Sequence, residues 1–407
     1  MNFPIPQATL AQATFSQLTV DLDNPQKPTL CFGTMCKDEE LCILDTLRHV
    51  YKHIDYWVVC DTGSTDNTCQ IVEDFFKEKN IPGKLYRDEW VGFHINKTML
   101  FERCYDTADY LLHLDADDWL VGNFVKEDLL KNPADFYMFN IKRGSNCWAA
   151  SILYNNRLKW KYCGVAHNII KCLNKNENQL IRSEYFNKND IWINAEERGS
   201  RAFDPKKYHK DAELLKMQFF DTLYNDPDGL NNRSCFYCAQ SYMDSNQNEE
   251  ALKWYCLYLK FKNTWQEEVY ESYLRISEIL IRLKRPFSEI ERQINRSIAI
   301  FPDRAEGYVI LANHCNHIKM QEKAFELFTK ALGQNFDDVK KKYTLFVRPR
   351  TYGKYILDEL SVSCYWTGRY EEGQKYLEQI IEDPEFQHQR VRFNDNLKHF
   401  KARCPKG

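Results

Sequence analysis

The sequence predicts an α/β domain with a mostly parallel sheet, followed by an all-α half. Three observations carry this. Between Thr29 and Ile141, short apolar runs alternate with segments of helical period, the pattern of strands joined by crossover helices. After Asp204-Pro205 the period stays at about 3.6 to the end of the chain. Two of the apolar runs end in acidic residues, at Asp61 and at Asp115-Ala116-Asp117-Asp118, and open α/β sheets bind their ligands outside the carboxyl ends of their strands.

Residues 1–27 read as an irregular lead-in, residues 28–204 as the α/β domain and residues 205–407 as the helical domain. In the α/β domain strands are expected at 29–34, 56–60, 84–87, 110–114 and 136–141, and helices at 39–53, 67–79, 96–107 and 124–131. The first strand runs into the acidic stretch Lys37-Asp38-Glu39-Glu40. The second, Tyr56 to Cys60, stops at Asp61; a glycine-containing turn follows, and Asp66-Asn67-Thr68 opens the helical pattern Cys69 to Phe76. Ser, Thr and Asp supply helix caps there. Tyr110-Leu111-Leu112 is a short buried strand that leads into three carboxylates. Residues 143–200 lack this alternation and close on a strand near Ile191-Trp192-Ile193.

Aspartate is a poor strand residue, and several packed at a strand end repel one another unless a cation is present. A D-x-D at such an end holds Mg²⁺ or Mn²⁺ through one or two carboxylates and leaves other positions to a diphosphate. A solvated acidic turn is the plainer alternative. Asp61 adds a second acid, placed where it accepts hydrogen bonds from a nucleoside; Asp66 and Thr68 need only cap a helix.

Together these motifs resemble the nucleotide-sugar-binding half of the family 2 glycosyltransferases with the GT-A fold. A strand followed by D-T-G-S-T-D-N-T stands about fifty residues before a strand ending L-D-A-D-D. Thr29 to Glu40 is similar to that family's opening strand and K-N-E-E, and Phe93-His94-Ile95-Asn96-Lys97-Thr98 resembles its H-N-R-T segment. Trp160, Gly164 and His167 match a later W-x-Y/F-x-G-x-x-H-E, with Asn168 in place of the glutamate. The resemblance implies a metal-dependent, inverting transfer of a sugar from a nucleotide sugar to a hydroxyl of a glycan, lipid or protein. It implies that Asp61 holds the nucleoside and that Thr34, Met35 and Cys36 form the other wall of its pocket. Asn96 and Lys97 stand near the donor, with Lys97 adding positive charge at the diphosphate, Asp115 near the ribose or the metal, and Asp117 on the metal. His167 is the candidate third ligand, which favours Mn²⁺ over Mg²⁺; a hydrogen-bonded structural histidine is the alternative. Arg198 and Arg201 add positive charge at the diphosphate or are surface charges. The general base is one of Asp190, Glu196, Glu197 and Asp204, with Glu197 preferred for its place beside the arginines.

Composition narrows the class. The formal net charge of −3 gives no footprint for nucleic acid, and no apolar stretch is long enough to span a membrane. The 15 cysteines are odd in number and mostly lie inside apolar patterns, which points to a soluble protein of a reducing, cytoplasmic compartment. Cys235-Phe236-Tyr237-Cys238 lacks a partner motif for zinc and reads as core. Nine tryptophans and 24 tyrosines include rings suited to sugar faces, though most belong to the core. Two other classes stay open. A nucleotidyltransferase shares the paired carboxylates but carries a glycine-rich basic loop after its first strand. A non-catalytic scaffold would keep the α/β domain as a relic.

In the helical half, Asp211–Tyr224, Ser234–Asp244, Glu249–Lys262 and Trp265–Leu283 show helical period. A weak repeat aligns Ala251, Ile290, Ala324 and Gly373 as the opening of a second helix, with Tyr255, Ile294, Phe328 and Leu377 four residues on and Tyr258, Ser297, Ala331 and Ile380 seven on. Ile290 to Ala324 spans 34 residues, the tetratricopeptide period; the flanking intervals of 39 and 49 are longer. The half resembles a degenerate tetratricopeptide solenoid, whose concave face binds a peptide, a partner or a second copy, or else buttresses its neighbour.

Overall fold

The computed structural model describes residues 27–144, 146–175, 179–186, 190–196 and 198–404. They form two compact units. The first runs to Lys161 and takes in Ile170–Ala202; the second holds Tyr162–Ile169 and everything from Phe203. The sequence reading placed 162–169 with the α/β domain, and the structure places it with the helices.

The first unit opens with β1 (Leu30–Cys36), α1 (Ile43–Val50), β2 (Tyr56–Asp61), α2 (Thr68–Lys79), β3 (Gly83–Arg87), α3 (Phe93–Cys104) and β4 (Tyr110–His113). It continues with β5 (Asp118–Val121), β6 (Phe136–Arg143) and β7 (Asn146–Asn155); then come β8 (Trp160–Cys163) and β9 (Ile169–Cys172), each with residues in both units, and, again in the first unit, β10 (Ser183–Tyr185) and β11 (Trp192–Ala195). The main sheet runs β3-β2-β1-β4-β7-β6-β11-β5, with β10 also on β6, and β8 and β9 form a separate ribbon. The β3-β2-β1-β4 half is parallel.

The other half is mixed, which limits the mostly parallel expectation to five of the eight described ladders. β7 turns back from β6 through Gly144 (φ 56°) and lies antiparallel between β6 and β4, and β5 runs antiparallel to β11. Two other expectations shift. Residues 124–131 hold only a five-residue 3₁₀ turn at Lys126–Leu130, because Pro133 follows and disfavours helical backbone before it. α1 begins at Ile43 and not at 39, because Asp38 to Glu40 are tied to another loop.

Leu30, Phe32 and Cys36 face α1 and α2, in a core with Ile43, Leu47, Val72 and Phe76. On the other sheet face α3 approaches closely. A Cβ at Gly33 would lie 2.8 Å from Leu111 Cδ1 and 3.0 Å from Cys104 Sγ, so only glycine lets the helix sit there.

The second unit carries α4 (Lys207–Asp221), α5 (Asn231–Asp244), α6 (Asn248–Tyr258), α7 (Gln266–Arg282), α8 (Phe287–Ile300), α9 (Glu306–His317) and α10 (Gln321–Leu332). α11 (Phe336–Lys342), α12 (Leu357–Trp366), α13 (Tyr370–Ile380) and α14 (Arg390–Arg403) complete it. The residues aligned as repeats fall on α6, α8, α10 and α13, and every one of them is buried. The long intervals have physical causes. α7 is 17 residues long, and α11 with a strap, Tyr343 to Tyr352, that holds only a 3₁₀ turn at Pro349–Thr351 is inserted between α10 and α12.

That strap lies on α7 and α9. Glu267 accepts the N–H of Thr344 (3.0 Å) and of Leu345 (2.5 Å), and Arg348 is clamped by Glu271 (2.9 Å) and Glu278 (2.6 Å). The Cys235 and Cys238 thiols are buried and donate to the carbonyls of Trp254 and Ala212, as core residues do. Among the described residues no helix is long and apolar enough to cross a membrane.

Candidate active site

The ends of β1 and β2 are locked by a reciprocal clasp. Asp61 is 3% exposed, and its carboxylate accepts the N–H of Gly63 (3.2 Å) and of Ser64 (3.1 Å), shaping the turn that follows β2. Asp38, in a left-handed conformation (φ 52°), accepts the N–H of Thr65 at 2.6 Å and gives its own N–H to Ser64 Oγ at 2.9 Å. Glu39 N–H reaches Thr68 Oγ1 at 2.8 Å and Glu40 N–H reaches Asp66 at 3.1 Å, while the Glu40 carboxylate takes the N–H of Asn67 at 3.1 Å. Burial opposes the ionised form of Asp66, but the Thr68 hydroxyl and N–H hold its carboxyl below the usual range. So Asp38, Glu40 and Asp66 bind loop to loop. The thiols of Cys36 and Cys69 also approach the Asp61 carboxylate.

The wall predicted beside Asp61 is uneven. Thr34 is fully buried and its hydroxyl has no hydrogen-bond partner. The Cys36 thiol lies 3.9 Å from Asp61 Oδ1, and burial together with Asp61 raises its pKa. Only Met35, on the opposite sheet face, is partly exposed. Asn96 is 1% exposed; its amide accepts the N–H of Val91 (2.9 Å) and Gly92 (3.0 Å) and donates to Glu89 O (2.9 Å). It fixes the loop before α3.

The carboxylates after β4 divide by their neighbours. Lys97 reaches from α3 to Asp115 at 3.0 Å and holds that carboxyl at about 2, although the Asp115 side chain is 60% exposed. Burial raises Asp117, opposed by the Gly199 N–H 3.0 Å from Oδ2 and reinforced by Asp115. Burial, with Asp115 and Asp117 alongside, pushes Asp118 up to about 8. His113, at the end of β4, meets Gly33 O at 3.0 Å and is pushed down to about 4, chiefly by burial, so it is neutral. The cluster carries more acid than Lys97 compensates.

The segment after β11 closes over this cluster. Arg198 donates to Asp45 of α1 at 3.1 Å and lies 5.0 Å from the Trp119 ring; Arg201 lies 4.5 Å from the ring of Phe93, at the start of α3. Glu39, Gly199, Asp118 and Trp119 were not in the predicted site. Glu39 and Asp118 stood inside the quoted motifs, but no signal linked Gly199 to Asp117.

The base candidates separate by topology. β11 runs parallel to β6, and through β7 parallel to β4, so Asp190 at its start lies at the sheet edge opposite Asp115. Glu196 follows β11 at the near edge and pairs with Arg198 at 2.7 Å. Asp204 accepts the N–H of Lys206 (2.9 Å) and Lys210 Nζ (2.7 Å) at the start of α4, within the second unit. Glu197 lies outside the described residues.

His167 belongs to the second unit. Its ring stacks on Tyr237 of α5 with centroids 4.0 Å apart and 17° between planes, and its carbonyl accepts Arg233 Nε at 2.9 Å. The backbone there is left-handed (φ 48°). Val165 N–H is bound by Gln218 of α4 at 2.8 Å.

The profile of the family described as "Glycosyl transferase family 2" matches residues 32–186, the stretch that carries Asp61 and Asp115 to Asp118. These residues form a family 2 glycosyltransferase domain. A search of curated proteins finds no match. Among solved structures, S. aureus TarS 1–349 in complex with UDP-GlcNAc is similar at 14% identity over 68% of this chain and 90% of that one, with a TM-score of 0.33. MamA is similar at 15% identity over 45% and 92%, TM-score 0.34. A tetratricopeptide repeat protein from Parabacteroides merdae is similar at 13% identity over 49% and 68%, TM-score 0.35. The family profile falls on the first unit, save for 162–169, and the second is built of helices α4 to α14.

Proposed function

We propose that the glycosyltransferase domain moves a sugar from a nucleotide-sugar donor to an acceptor hydroxyl, with inversion, and uses a divalent cation held by Asp115 and Asp117. The observation that carries this is the meeting of Asp61, at the end of β2, with the acidic cluster after β4 on one edge of one sheet. The donor set fits such a cation. All its atoms are carboxylate oxygens, which suit Mn²⁺ or Mg²⁺.

Held by Asp115 and Asp117, such a cation would neutralise charge on a departing diphosphate. The chain's own groups do the rest. Asp61 accepts hydrogen bonds from the nucleoside, and Met35 lines the same strand ends. Lys97 holds Asp115 in its charged form, and Arg198 and Arg201 bring positive charge to the edge where the diphosphate leaves. Glu197 takes the proton from the acceptor hydroxyl, with Glu196 the alternative. The stack on Tyr237 supports a structural His167. A partner-binding role for the helical unit is narrowed by the strap, which occupies α7 and α9. The 15 free cysteines support a reducing compartment.

Nucleotide-sugar turnover with Asp117→Asn is the test. The variant should fold as the wild type does and lose Mn²⁺-dependent transfer. A wild-type rate would reject Asp117 as ligand, and absence of turnover in the wild type with any nucleotide sugar would favour the scaffold reading.

A further inference from the structure

We propose that Gly199 is a positioning residue for the transfer reaction. Its main-chain N–H fixes the Asp117 carboxylate, and its missing side chain leaves the space in which Asp117 and Glu39 face each other. The proposal rests on the reading of Asp117 as a cation ligand.

Gly199 is buried, and its N–H lies 3.0 Å from Asp117 Oδ2. A Cβ built on it would stand 3.2 Å from that oxygen and 3.0 and 3.2 Å from the two Glu39 carboxylate oxygens. Two carboxylates from separate elements therefore converge on one point beside this glycine. The Gly199 backbone is not left-handed, so the demand for glycine is spatial and not conformational.

Neither side can yield freely. The Cys42 thiol, in the turn before α1, holds Glu39 Oε2 at 2.9 Å. Arg198, tied to Asp45, and Arg201, over Phe93, pin the segment on both sides of Gly199. A methyl group here must push on Asp117, the ligand that the N–H orients. Groups that orient a metal-binding carboxylate from behind typically change metal affinity by roughly 10–100-fold when altered.

The test uses the full chain. In metal-free protein the Gly199 amide should exchange hydrogen slowly in the wild type and quickly in Asp117→Ala; equal rates overturn the contact. Gly199→Ala should lower Mn²⁺ affinity by roughly 10–100-fold, read by electron paramagnetic resonance with UDP or GDP, whichever the wild type binds. Nucleotide affinity in chelator should stay the same. Unchanged Mn²⁺ affinity overturns the positioning role, and so does an equal loss of metal-free nucleotide binding, which marks general collapse. Adding Glu39→Ala removes two of the three close approaches and should restore part of the affinity; no recovery overturns the steric argument. If the wild type binds no Mn²⁺, the ligand reading of Asp117 falls, while the exchange comparison still decides whether Gly199 holds it.

Discussion

Arg304→Met should destabilise the helical unit far more than a surface charge would. Arg304 and Glu306 are both 0% exposed. Arg304 donates Nε and Nη2 to the Glu306 carboxylate, each at 3.1 Å, and Nη1 and Nη2 to the carbonyls of Leu345 (3.1 Å) and Phe346 (2.8 Å) on the strap. Glu306 also accepts the hydroxyls of Tyr270 and Tyr352, each at 3.1 Å, and the N–H of Arg348 at 2.9 Å. Methionine fills similar volume but leaves an uncompensated carboxylate in the core and two carbonyls without donors. Breaking one side of a buried ion pair costs about 3–5 kcal/mol, and the orphaned carbonyls favour the upper end. For a unit of this size each kcal/mol lowers the melting temperature by about 2–4 °C, so the expected drop is about 6–20 °C. Thermal denaturation followed by far-UV circular dichroism measures it, and chemical denaturation gives the free-energy loss. Adding Glu306→Gln removes the stranded charge but keeps an acceptor for the tyrosines, and should recover at least about 1 kcal/mol. A loss below about 1 kcal/mol for the single variant, the level of an exposed pair, would refute the reasoning.

Three further outcomes are expected. Asp61→Ala should weaken nucleotide binding while leaving donor-free Mn²⁺ affinity unchanged, and should cost about 1–3 kcal/mol because the N–H groups of Gly63 and Ser64 lose their acceptor; calorimetry with UDP and GDP tests it, and unchanged affinity for both sinks the assignment. His167→Ala should cost about 0.5–1.5 kcal/mol through the lost Tyr237 stack and leave the Mn²⁺ over Mg²⁺ preference alone; a preference that vanishes would make His167 a ligand. Burial disfavours the ionised Glu271, but Arg348 and Arg275 hold it below the ordinary value of 4.5. Its stabilisation is therefore full above pH 4.5 and disappears as pH falls through the folded pKa; Glu271→Gln should flatten that part of the stability–pH curve, and an unaltered acid limb would count against the Arg348 clamp.

Legibility followed the range of the interaction. The aligned positions from Ala251 to Ile380 proved buried because a packed helix pair repeats one local spacing, and spacing is written in sequence. β1, β2 and β4 were legible because each is a short apolar run closed by a polar turn. β7 was not, because nothing local says that a strand after Gly144 will insert antiparallel between β4 and β6. Nor does sequence tell which edge of a sheet an acid reaches: Asp190 and Glu196 are near neighbours in the chain and stand at opposite ends of β11.

The same limit explains the acids in the motifs. Asp38, Glu40, Asp61 and Asp66 look alike as residues ending or following strands, yet three of them are spent binding the loop after β1 to the loop after β2. That clasp gives the motif a reason of its own. Two loops must be held rigid before the remaining carboxylate can meet a ligand in a fixed place, and carboxylates accepting backbone N–H groups do this with strong, directional bonds. The acids outside the clasp stand out by what surrounds them: Asp115 by its lysine, Asp117 by the backbone N–H of Gly199, Asp118 by burial that, with Asp115 and Asp117 alongside, pushes its carboxyl up to about 8. A motif thus mixes groups that build the site with groups that use it, and only the hydrogen-bond partners, most of them distant in the chain, separate the two.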